Sequence, residues 1–233
     1  MKIADTILSL TTPWSLNLDA DALGRMEAFA DMLVEKNKVM NLTAITEDDK
    51  VARLHFADCL YLLTCANLEG KSIIDIGCGG GFPSLPLLCA KPDLNLTGVD
   101  STAKRIAFVD ESARALGVGG KFVAARAEEY ALKNREKFDF ATARAVVSLN
   151  ILLELSLPML KVGGYLLAMK GMNTEEDDQA AKALQVLGGK IEKIYTYSVG
   201  DEFPERRIVV VKKVRPTPEA YPRRYAKITA KPL

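Results

Sequence analysis

The stretch Asp75-Ile76-Gly77-Cys78-Gly79-Gly80-Gly81-Phe82-Pro83 follows a short apolar run, residues 72–76, and precedes a helical pattern that begins at Leu85. Gly77 and Gly79 permit backbone angles and a close approach that any side chain would block. A turn of this kind between a strand and a helix lies in the crevice where open α/β sheets bind their ligands. We therefore expect a ligand to lie against this backbone.

The spacing of the glycines indicates which ligand the loop holds. A dinucleotide fingerprint needs glycine five positions after Gly77, where this chain has Phe82, and no Gly-Lys-Ser/Thr follows as in a phosphate-binding P-loop. The loop instead resembles the Asp/Glu-x-Gly-x-Gly-x-Gly loop of class I S-adenosylmethionine-dependent methyltransferases, matched by Asp75, Gly77, Gly79 and Gly81. The alternative is a glycine-rich turn that binds nothing, although its glycines cost conformational entropy.

Short apolar runs alternate with helical patterns after Gly70, which predicts an α/β fold with a mostly parallel sheet. The last two runs have no helix between them, so we expect an antiparallel edge hairpin. We therefore predict a seven-stranded, Rossmann-like sheet, as in the class I methyltransferases that the loop resembles. The predicted strands are residues 72–76, 94–99, 122–125, 138–142, 165–169, 191–198 and 208–214.

The N-terminal part of the chain has a different pattern. Apolar residues recur at helical spacing over residues 18–40, with Asp19 and Asp21 suited to the start of that helix, and a second helical pattern follows. No strand pattern is present before residue 68. We therefore predict an N-terminal helical extension over residues 1–68, a Rossmann-like core over residues 69–215 and a basic C-terminal tail over residues 216–233.

Charge is balanced overall but not along the chain. The sequence has 31 basic and 30 acidic residues, yet residues 1–70 carry 6 basic and 11 acidic side chains while residues 201–233 carry 9 and 4. Lysine and arginine attract phosphate regardless of base sequence, so a basic edge suits a contact with nucleic acid. A solvated polar terminus would give the same charge pattern.

Composition excludes several classes of protein. The chain is 48% hydrophobic and 26% charged, which is typical of a soluble globular protein. It has no apolar run of about 18 residues, as a membrane span needs, and no signal sequence at its start, so we expect a cytoplasmic protein. We also expect a monomer. Four cysteines without a Cys-x-x-Cys pair and a single histidine, His55, argue against a metal site and a Ser-His-Asp hydrolase.

Two further segments end predicted strands. Asp100 ends the second strand, where a carboxylate can accept two hydrogen bonds from a ribose diol. Arg126-Ala127-Glu128-Glu129 ends the third, where methyltransferases of this fold often contact adenine. The two glutamates would equally suit a plain helix start, because acidic residues favour the positive end of a helix.

The chain as a whole resembles the RsmG (GidB) family of 16S ribosomal RNA guanine-N7 methyltransferases. The glycine loop alone indicates a methyltransferase, whereas the loop with Phe82-Pro83, the segment around Arg144 and the C-terminal motif together are specific. The residues that carry the resemblance are Asn37, Asn41-Leu42-Thr43, His55, Asp58, the loop at 75–83, Asp100-Ser101, Lys104-Arg105, Arg126-Ala127-Glu128-Glu129, Ala143-Arg144-Ala145, Lys170-Gly171, Arg206, Tyr221-Pro222-Arg223 and Lys231-Pro232-Leu233.

The resemblance implies methyl transfer from S-adenosylmethionine to N7 of guanosine 527 in 16S rRNA, presented as RNA or within the small ribosomal subunit. Two local departures are Leu54, where the family often has a basic residue, and residues 225–229, which replace a Gly- and Pro-containing stretch. The resemblance also assigns roles to individual residues: cofactor contacts at Gly77, Phe82, Ala127, Glu128 and Arg144, and RNA or active-site roles at Asn41, Arg126, Lys170 and Arg206.

Guanine N7 has a free lone pair, so it can attack a methyl group without first losing a proton, and no general base is required. Arg144 and Lys170 are the predicted catalytic residues, and Arg223 and Arg224 join the predicted RNA contacts. Salt bridges are the alternative role for these cations. His55 is predicted to be a packed core residue. The rival functions are a class I methyltransferase for another RNA or a small molecule, and an RNA-binding scaffold with a degenerate cofactor pocket.

Overall fold

A computed structural model describes residues 3–233 and places seven strands in one sheet. The strand order is β3-β2-β1-β4-β5-β7-β6, and β7 runs antiparallel to both β5 and β6 while the other pairs are parallel. This confirms the predicted α/β class with its antiparallel edge hairpin. The strands are β1 Ser72–Ile76, β2 Asn95–Asp100, β3 Lys121–Ala124, β4 Phe138–Arg144, β5 Leu160–Lys170, β6 Gly189–Tyr197 and β7 Arg206–Lys213.

The helices precede the sheet, connect its parallel strands and close the chain. No helix within residues 3–233 is long and apolar enough to cross a membrane. The helices are α1 Ile3–Thr11, α2 Ala20–Met40, α3 Asp48–Val51, α4 Asp58–Leu60, α5 Leu62–Cys65, α6 Ser84–Ala90, α7 Ala103–Ala115, α8 Ala127–Lys133, α9 Leu149–Ser156, α10 Glu175–Gln179, α11 Ala181–Leu187 and α12 Tyr225–Ala230.

Both faces of the sheet are buried, because successive residues of a strand point to opposite sides. On β1, Ile73 belongs to one apolar cluster and Ile74 to the other. The first cluster joins the sheet to the N-terminal helices, α6 and α7, whereas the second joins it to α8, α9 and α11. The N-terminal helices therefore pack directly against the face of the sheet.

The N-terminal region contains a capped helix, α2, and a segment that buries two polar side chains, His55 and Asp58. Helix α2 begins after Asp19, whose carboxylate accepts a hydrogen bond from the backbone N–H of Ala22 at 2.7 Å, as predicted for the helix start. Between α3 and α4 the chain forms a π-helical segment, Ala52–Ala57. Segments of this kind occur frequently at functional sites. This one buries His55, and Asp58 follows it at the start of α4.

The C-terminal segment folds back onto the core. The guanidinium of Arg135 donates to the carbonyl oxygens of Thr217 and Tyr221. Arg223 then pairs with Glu154 of α9, and α12 packs beside that helix. The segment predicted as a basic tail is therefore held against the α/β core at several points.

Candidate active site

The glycine loop follows β1, and Val146 packs against its first glycine. The N–H groups of Gly77 and Cys78 both donate to the carbonyl oxygen of Val99, at 2.8 and 3.1 Å. Gly77 has φ of +72° and Gly79 of +53°, angles that favour glycine. A Cβ atom on Gly77 would lie 2.9 Å from Cγ2 of Val146. The loop thus requires glycine at these positions, as the sequence indicated.

Asp75 and Gly81, which we predicted to bind the cofactor, lie behind the loop instead. Asp75 is 0% exposed, and its Oδ2 accepts hydrogen bonds from both the backbone N–H and the hydroxyl of Ser84. Burial raises the pKa of this carboxyl to about 7. A Cβ atom on Gly81 would lie 2.7 Å from Cδ1 of Leu85. Neither residue lines the cavities described next, so both shape the loop from inside.

Three cavities meet at the carboxyl edge of the sheet, and Val146 lines all of them. The residue before it, Ala145, has φ of +53°, which turns the chain sharply after β4. We call the cavities the β3-side cavity (about 140 Å³; Asp100, Ala127, Glu128, Tyr225), the loop cavity (about 330 Å³; Gly77, Gly79, Phe82, His55, Arg144) and the cationic cavity (about 350 Å³; Asp58, Arg144, Lys170, Arg206).

In the loop cavity, Arg144 is held by the N-terminal helices. Its Nη1 donates to the carbonyl oxygen of Leu54 at 2.9 Å and lies 3.1 Å from Nδ1 of His55. Its guanidinium also lies over the Phe82 ring, 4.8 Å from the ring centroid, and the same ring stacks on His55. The end of β4, the glycine loop and the π-helical segment therefore meet at one arginine.

The contacts of His55 fix its protonation state. A guanidinium can only donate, so Nδ1 accepts from Arg144 and the ring proton resides on Nε2, which lies 2.8 Å from the Thr43 hydroxyl. Burial first, and then the charge of Arg144, lower the pKa of His55 to about 3. His55 is therefore neutral at physiological pH with both ring nitrogens engaged. The sequence interpretation of a packed, hydrogen-bonded histidine agrees with this geometry.

In the cationic cavity, a buried carboxylate lies between two arginines. Asp58 is 1% exposed, and its oxygens lie 3.6 Å from Nη1 of Arg144 and 3.4 Å from Nε of Arg206. Oδ1 accepts a hydrogen bond from the Tyr197 hydroxyl at 2.8 Å. Within residues 3–233, however, Asp58 Oδ2 and Arg206 Nε have no hydrogen-bond partner although both are buried. Buried polar atoms are rarely left unpaired, and here the unpaired atoms belong to residues that line a cavity.

Lys170 closes the far side of the cationic cavity. Its Nζ donates to the carbonyl oxygen of Val147 at 2.5 Å and pairs with Glu176 at 2.8 Å. The same glutamate oxygen accepts from the backbone N–H of Leu149 at 3.1 Å. Lys170 thus fixes the chain between β4 and α9, which carries Val146, and contributes positive charge to the cavity wall.

The β3-side cavity brings predicted site residues together with Tyr225, which the sequence did not indicate. Both oxygens of Asp100 accept backbone hydrogen bonds, from Gly79 at 3.1 Å and from Thr102 at 2.8 Å. Arg126 lies 3.3 Å from a carboxylate oxygen of Glu128, and its guanidinium stacks over the Tyr225 ring at 4.2 Å. The lining of this cavity combines apolar side chains such as Ile76, Val99 and Leu155 with charged and aromatic ones, which is typical of a small-molecule site.

The structure brings most of the predicted site residues together but separates some from the cavities. Asn41 lies at the end of α2 and is exposed, next to the residues that line the loop cavity. Arg224 is exposed at the start of α12, whereas Arg223 is committed to Glu154. The predicted residues that line a cavity are Gly77, Gly79, Phe82, Asp100, Arg126, Ala127, Glu128, Arg144, Lys170 and Arg206.

Asp58, His55 and Tyr225 line these cavities but were not among the predicted site residues. Asp58 and His55 both interrupt an apolar helical face, and a charged or polar group on such a face is a usable signal. Tyr225 lies 125 positions after Asp100, and nothing in its local sequence indicates that α12 returns to the sheet edge.

Comparison with protein families identifies the chain. The profile of the GidB family, described as rRNA small subunit methyltransferase G, matches residues 22–208. The chain belongs to this family. Two relatives described as ribosomal RNA small subunit methyltransferase G, from Acetivibrio thermocellus and Lachnoclostridium phytofermentans, are 39% and 43% identical over 100% of this chain and 98% of their own lengths. The family resemblance and the methyltransferase assignment drawn from the sequence are confirmed.

Solved structures confirm the fold of this family member. A SAM-dependent methyltransferase from Methanosarcina mazei aligns with a TM-score of 0.54 and 17% identity, covering 66% of this chain and 97% of that one. TYW2 from M. jannaschii, solved in complex with AdoMet, aligns with a TM-score of 0.50 and 16% identity, covering 62% and 68%. At these identities the likeness concerns the fold alone.

Proposed function

We propose that the protein transfers a methyl group from S-adenosylmethionine to N7 of guanosine 527 in 16S rRNA. The supporting observation is the meeting of three cavities at Val146: the glycine loop lies between a small, largely apolar cavity and a cationic one. Membership in the rRNA small subunit methyltransferase G family supports the choice of a ribosomal RNA substrate.

The donor groups present fit S-adenosylmethionine. The backbone of Gly79 leaves room for a close approach of the cofactor, because the nearest atom to a Cβ placed there is the Gly77 carbonyl oxygen at 3.8 Å, and Asp100 offers carboxylate lone pairs for a ribose diol. Ala127 and Glu128 line the cavity that would take the adenine, and Arg144 is placed for the amino-acid carboxylate. When bound, the cofactor supplies an electrophilic methyl group on a positively charged sulfur.

The protonation states of the site favour an acceptor that has no proton to lose. His55 uses both ring nitrogens in hydrogen bonds, and Asp75, whose pKa is raised by burial, lies behind the loop. Guanine N7 carries a free lone pair and needs no general base. The residues then accelerate transfer by holding the base in line at about 3 to 3.5 Å and by excluding water.

The cationic cavity suits the guanine and its phosphate. Arg206, whose Nε makes no hydrogen bond in the described part of the chain, provides positive charge for a phosphate or for the O6 atom of the base, whereas Lys170, paired with Glu176, holds the wall of the cavity in place. Because methylation of N7 places positive charge on the purine, an acceptor near the base stabilises the product-like state. Asp58 Oδ2, which makes no hydrogen bond within residues 3–233, is available for this role. Exposed Asn41 and Arg224 extend the contact surface beyond the cavities.

Methyl transfer from labelled cofactor tests the proposal directly. Purified protein is incubated with 16S rRNA, with small ribosomal subunits and with small-molecule acceptors. The modified nucleotide is located by reverse-transcription stops after borohydride and aniline cleavage. We expect label in 16S rRNA and a stop at guanosine 527, which is absent in cells without the protein. A stop elsewhere in the RNA, or label only in small acceptors, would reject the proposed substrate, and absence of cofactor binding by calorimetry would favour a scaffold.

A further inference from the structure

Tyr225 lies at the start of α12 yet lines the β3-side cavity beside Asp100 and Glu128. It is the one aromatic residue among the side chains that line this cavity; the rest of the lining includes Ile76, Val99 and Leu155. An aromatic ring beside a narrow apolar slot favours a flat ring as the ligand, because flat rings stack with little conformational cost.

The orientation of the Tyr225 ring is fixed by Arg126. The guanidinium lies 4.2 Å from the ring centroid and is held in turn by Glu128 at 3.3 Å. A cation over one face of an aromatic ring stabilises that arrangement by electrostatic attraction. Arg126, which the sequence analysis assigned to RNA, is therefore already engaged with two walls of the cavity.

The segment that carries Tyr225 is anchored on both sides of it. Before it, the buried carboxylate of Glu154 accepts hydrogen bonds from the backbone N–H, Nε and Nη2 of Arg223. After it, Ile228 is 0% exposed, and the amide of Asn150 donates to the carbonyl oxygen of Leu233 at 3.4 Å. Tyr225 is thus held in place before any ligand arrives, which lowers the entropic cost of binding.

We propose that Tyr225 is a cofactor-binding residue that supplies the aromatic wall for the adenine ring, and that Arg126 positions it. The inference rests on the proposed function, since it concerns the same cofactor. It assigns the C-terminal segment a part in closing the nucleoside end of the site, in addition to any contact that Arg224 makes with RNA.

Calorimetric titration of the full chain with S-adenosylhomocysteine and with 5′-methylthioadenosine tests the proposal. We expect Tyr225→Ala to raise the Kd of both ligands about 10-fold, because stacking of a base on an aromatic side chain is worth about that much. Tyr225→Phe keeps the ring and should stay within about 2-fold of the wild type. Tyr195→Ala, on strand β6 and outside the three cavities, is the matched control and should not change either Kd.

The outcomes separate this inference from the proposed function. If the wild type binds and Tyr225→Ala binds equally well, the inference is wrong while the proposed function stands. If the wild type binds neither ligand, the proposed function fails as well. Thermal melts of the ligand-free variants show whether each variant is folded. If Tyr225→Ala melts early, Arg126→Met, which keeps the Tyr225 ring, replaces it. An unchanged Kd in that variant would also overturn the inference, because the ring would not need its positioning residue.

Discussion

Two buried carboxylates of this molecule face arginines in different ways. Glu154 is 0% exposed, and Arg223 satisfies it with three hydrogen bonds, one from its backbone and two from its guanidinium. Asp58 is also buried, but the nearest nitrogens of Arg144 and Arg206 lie 3.6 and 3.4 Å away. Within the described residues 3–233, Asp58 Oδ2 has no hydrogen-bond partner.

The difference indicates what each cluster does. A buried ion pair with ideal geometry fixes one conformation, and here it fixes the C-terminal segment against α9. In a buried cluster whose nitrogen–oxygen distances are too long for good hydrogen bonds, polar atoms remain unpaired beside a cavity and can bind a ligand. We therefore interpret the pair of Glu154 and Arg223 as structural and the cluster around Asp58 as part of the substrate site.

The largest expected effect is on stability and comes from the same substitution made in each cluster. Arg223→Ala leaves Glu154 buried without its guanidinium partner and should lower the free energy of unfolding by about 3 to 5 kcal/mol. Arg206→Ala should lower it by about 1 kcal/mol or less, because Asp58 keeps Tyr197 and Arg144. Urea denaturation followed by circular dichroism measures both. Equal losses would contradict the contrast between the two clusters.

The next effect is on catalysis. Arg144→Lys keeps the charge but loses the planar donor that contacts Leu54 and His55 and stacks on Phe82. We expect kcat/KM for methyl transfer to 16S rRNA to fall about 100-fold, the size reported for removal of one oriented donor from an active site. Arg114→Lys on the exposed face of α7 is the control and should leave the rate unchanged. A fall in kcat/KM of less than about 3-fold would show that Arg144 does not take part in catalysis.

A smaller effect concerns the pH dependence of stability. The pKa of His55 is about 3 in the folded protein and near 6.5 when unfolded, so the unfolded state binds more protons between these values. Stability conferred by neutral His55 is therefore complete above pH 6.5 and lost as the pH falls towards 3. Against His55→Gln, the wild type should lose about 1.4 kcal/mol per pH unit below pH 6. The raised pKa of Asp75 changes stability with pH in the opposite direction. Because Asp75 is present in both proteins, its contribution cancels in the comparison.

Urea denaturation of both proteins at pH 7, 6 and 5 measures this difference. A gap between His55→Gln and the wild type that stays constant with pH would mean that His55 titrates normally in the folded state. The hydrogen bond from Arg144 to Nδ1 would then not hold the neutral form.

The smallest expected effect separates the two neighbouring arginines of the C-terminal segment. Arg224 is exposed at the start of α12, so Arg224→Ala should weaken binding of an rRNA fragment a few-fold. It should also reduce the slope of log K, the binding constant, against log salt concentration by about 1 in magnitude. Arg223→Ala, measured where it is still folded, should leave the slope unchanged because its guanidinium lies on Glu154. Filter binding at several salt concentrations reads the slope. An equal change in slope for both variants would place Arg223 at the RNA surface.

Local sequence patterns predicted the fold well because the parallel core follows strong rules. Alternating apolar runs and helices fix a sheet with covered faces, and the last two runs without a helix fix the hairpin. Strand β7 lies between β5 and β6, and the sequence predicted that β6 and β7 pair but not which of them contacts β5. That choice depends on long-range packing of the sheet edge.

The candidate site was predicted in part. Residues at the ends of parallel strands, such as Asp100 and Arg144, converge because the sheet topology requires it. By contrast, the direction in which Asp75 points, and the packing of Gly81 against Leu85, depend on the tertiary structure. Arg223 was predicted to contact RNA from charge alone. Charge does not show that its guanidinium pairs with Glu154, a buried acid 69 positions earlier in the chain.

A crystal structure of the protein with S-adenosylhomocysteine would show the ligand itself. We expect the ligand to run from the Tyr225 ring, past Asp100 and the glycine loop, to Arg144, and to leave the cavity around Asp58 open for the base. A ligand bound elsewhere, or a glycine loop that stays covered by Val146 with no ligand against it at saturating concentration, would contradict it.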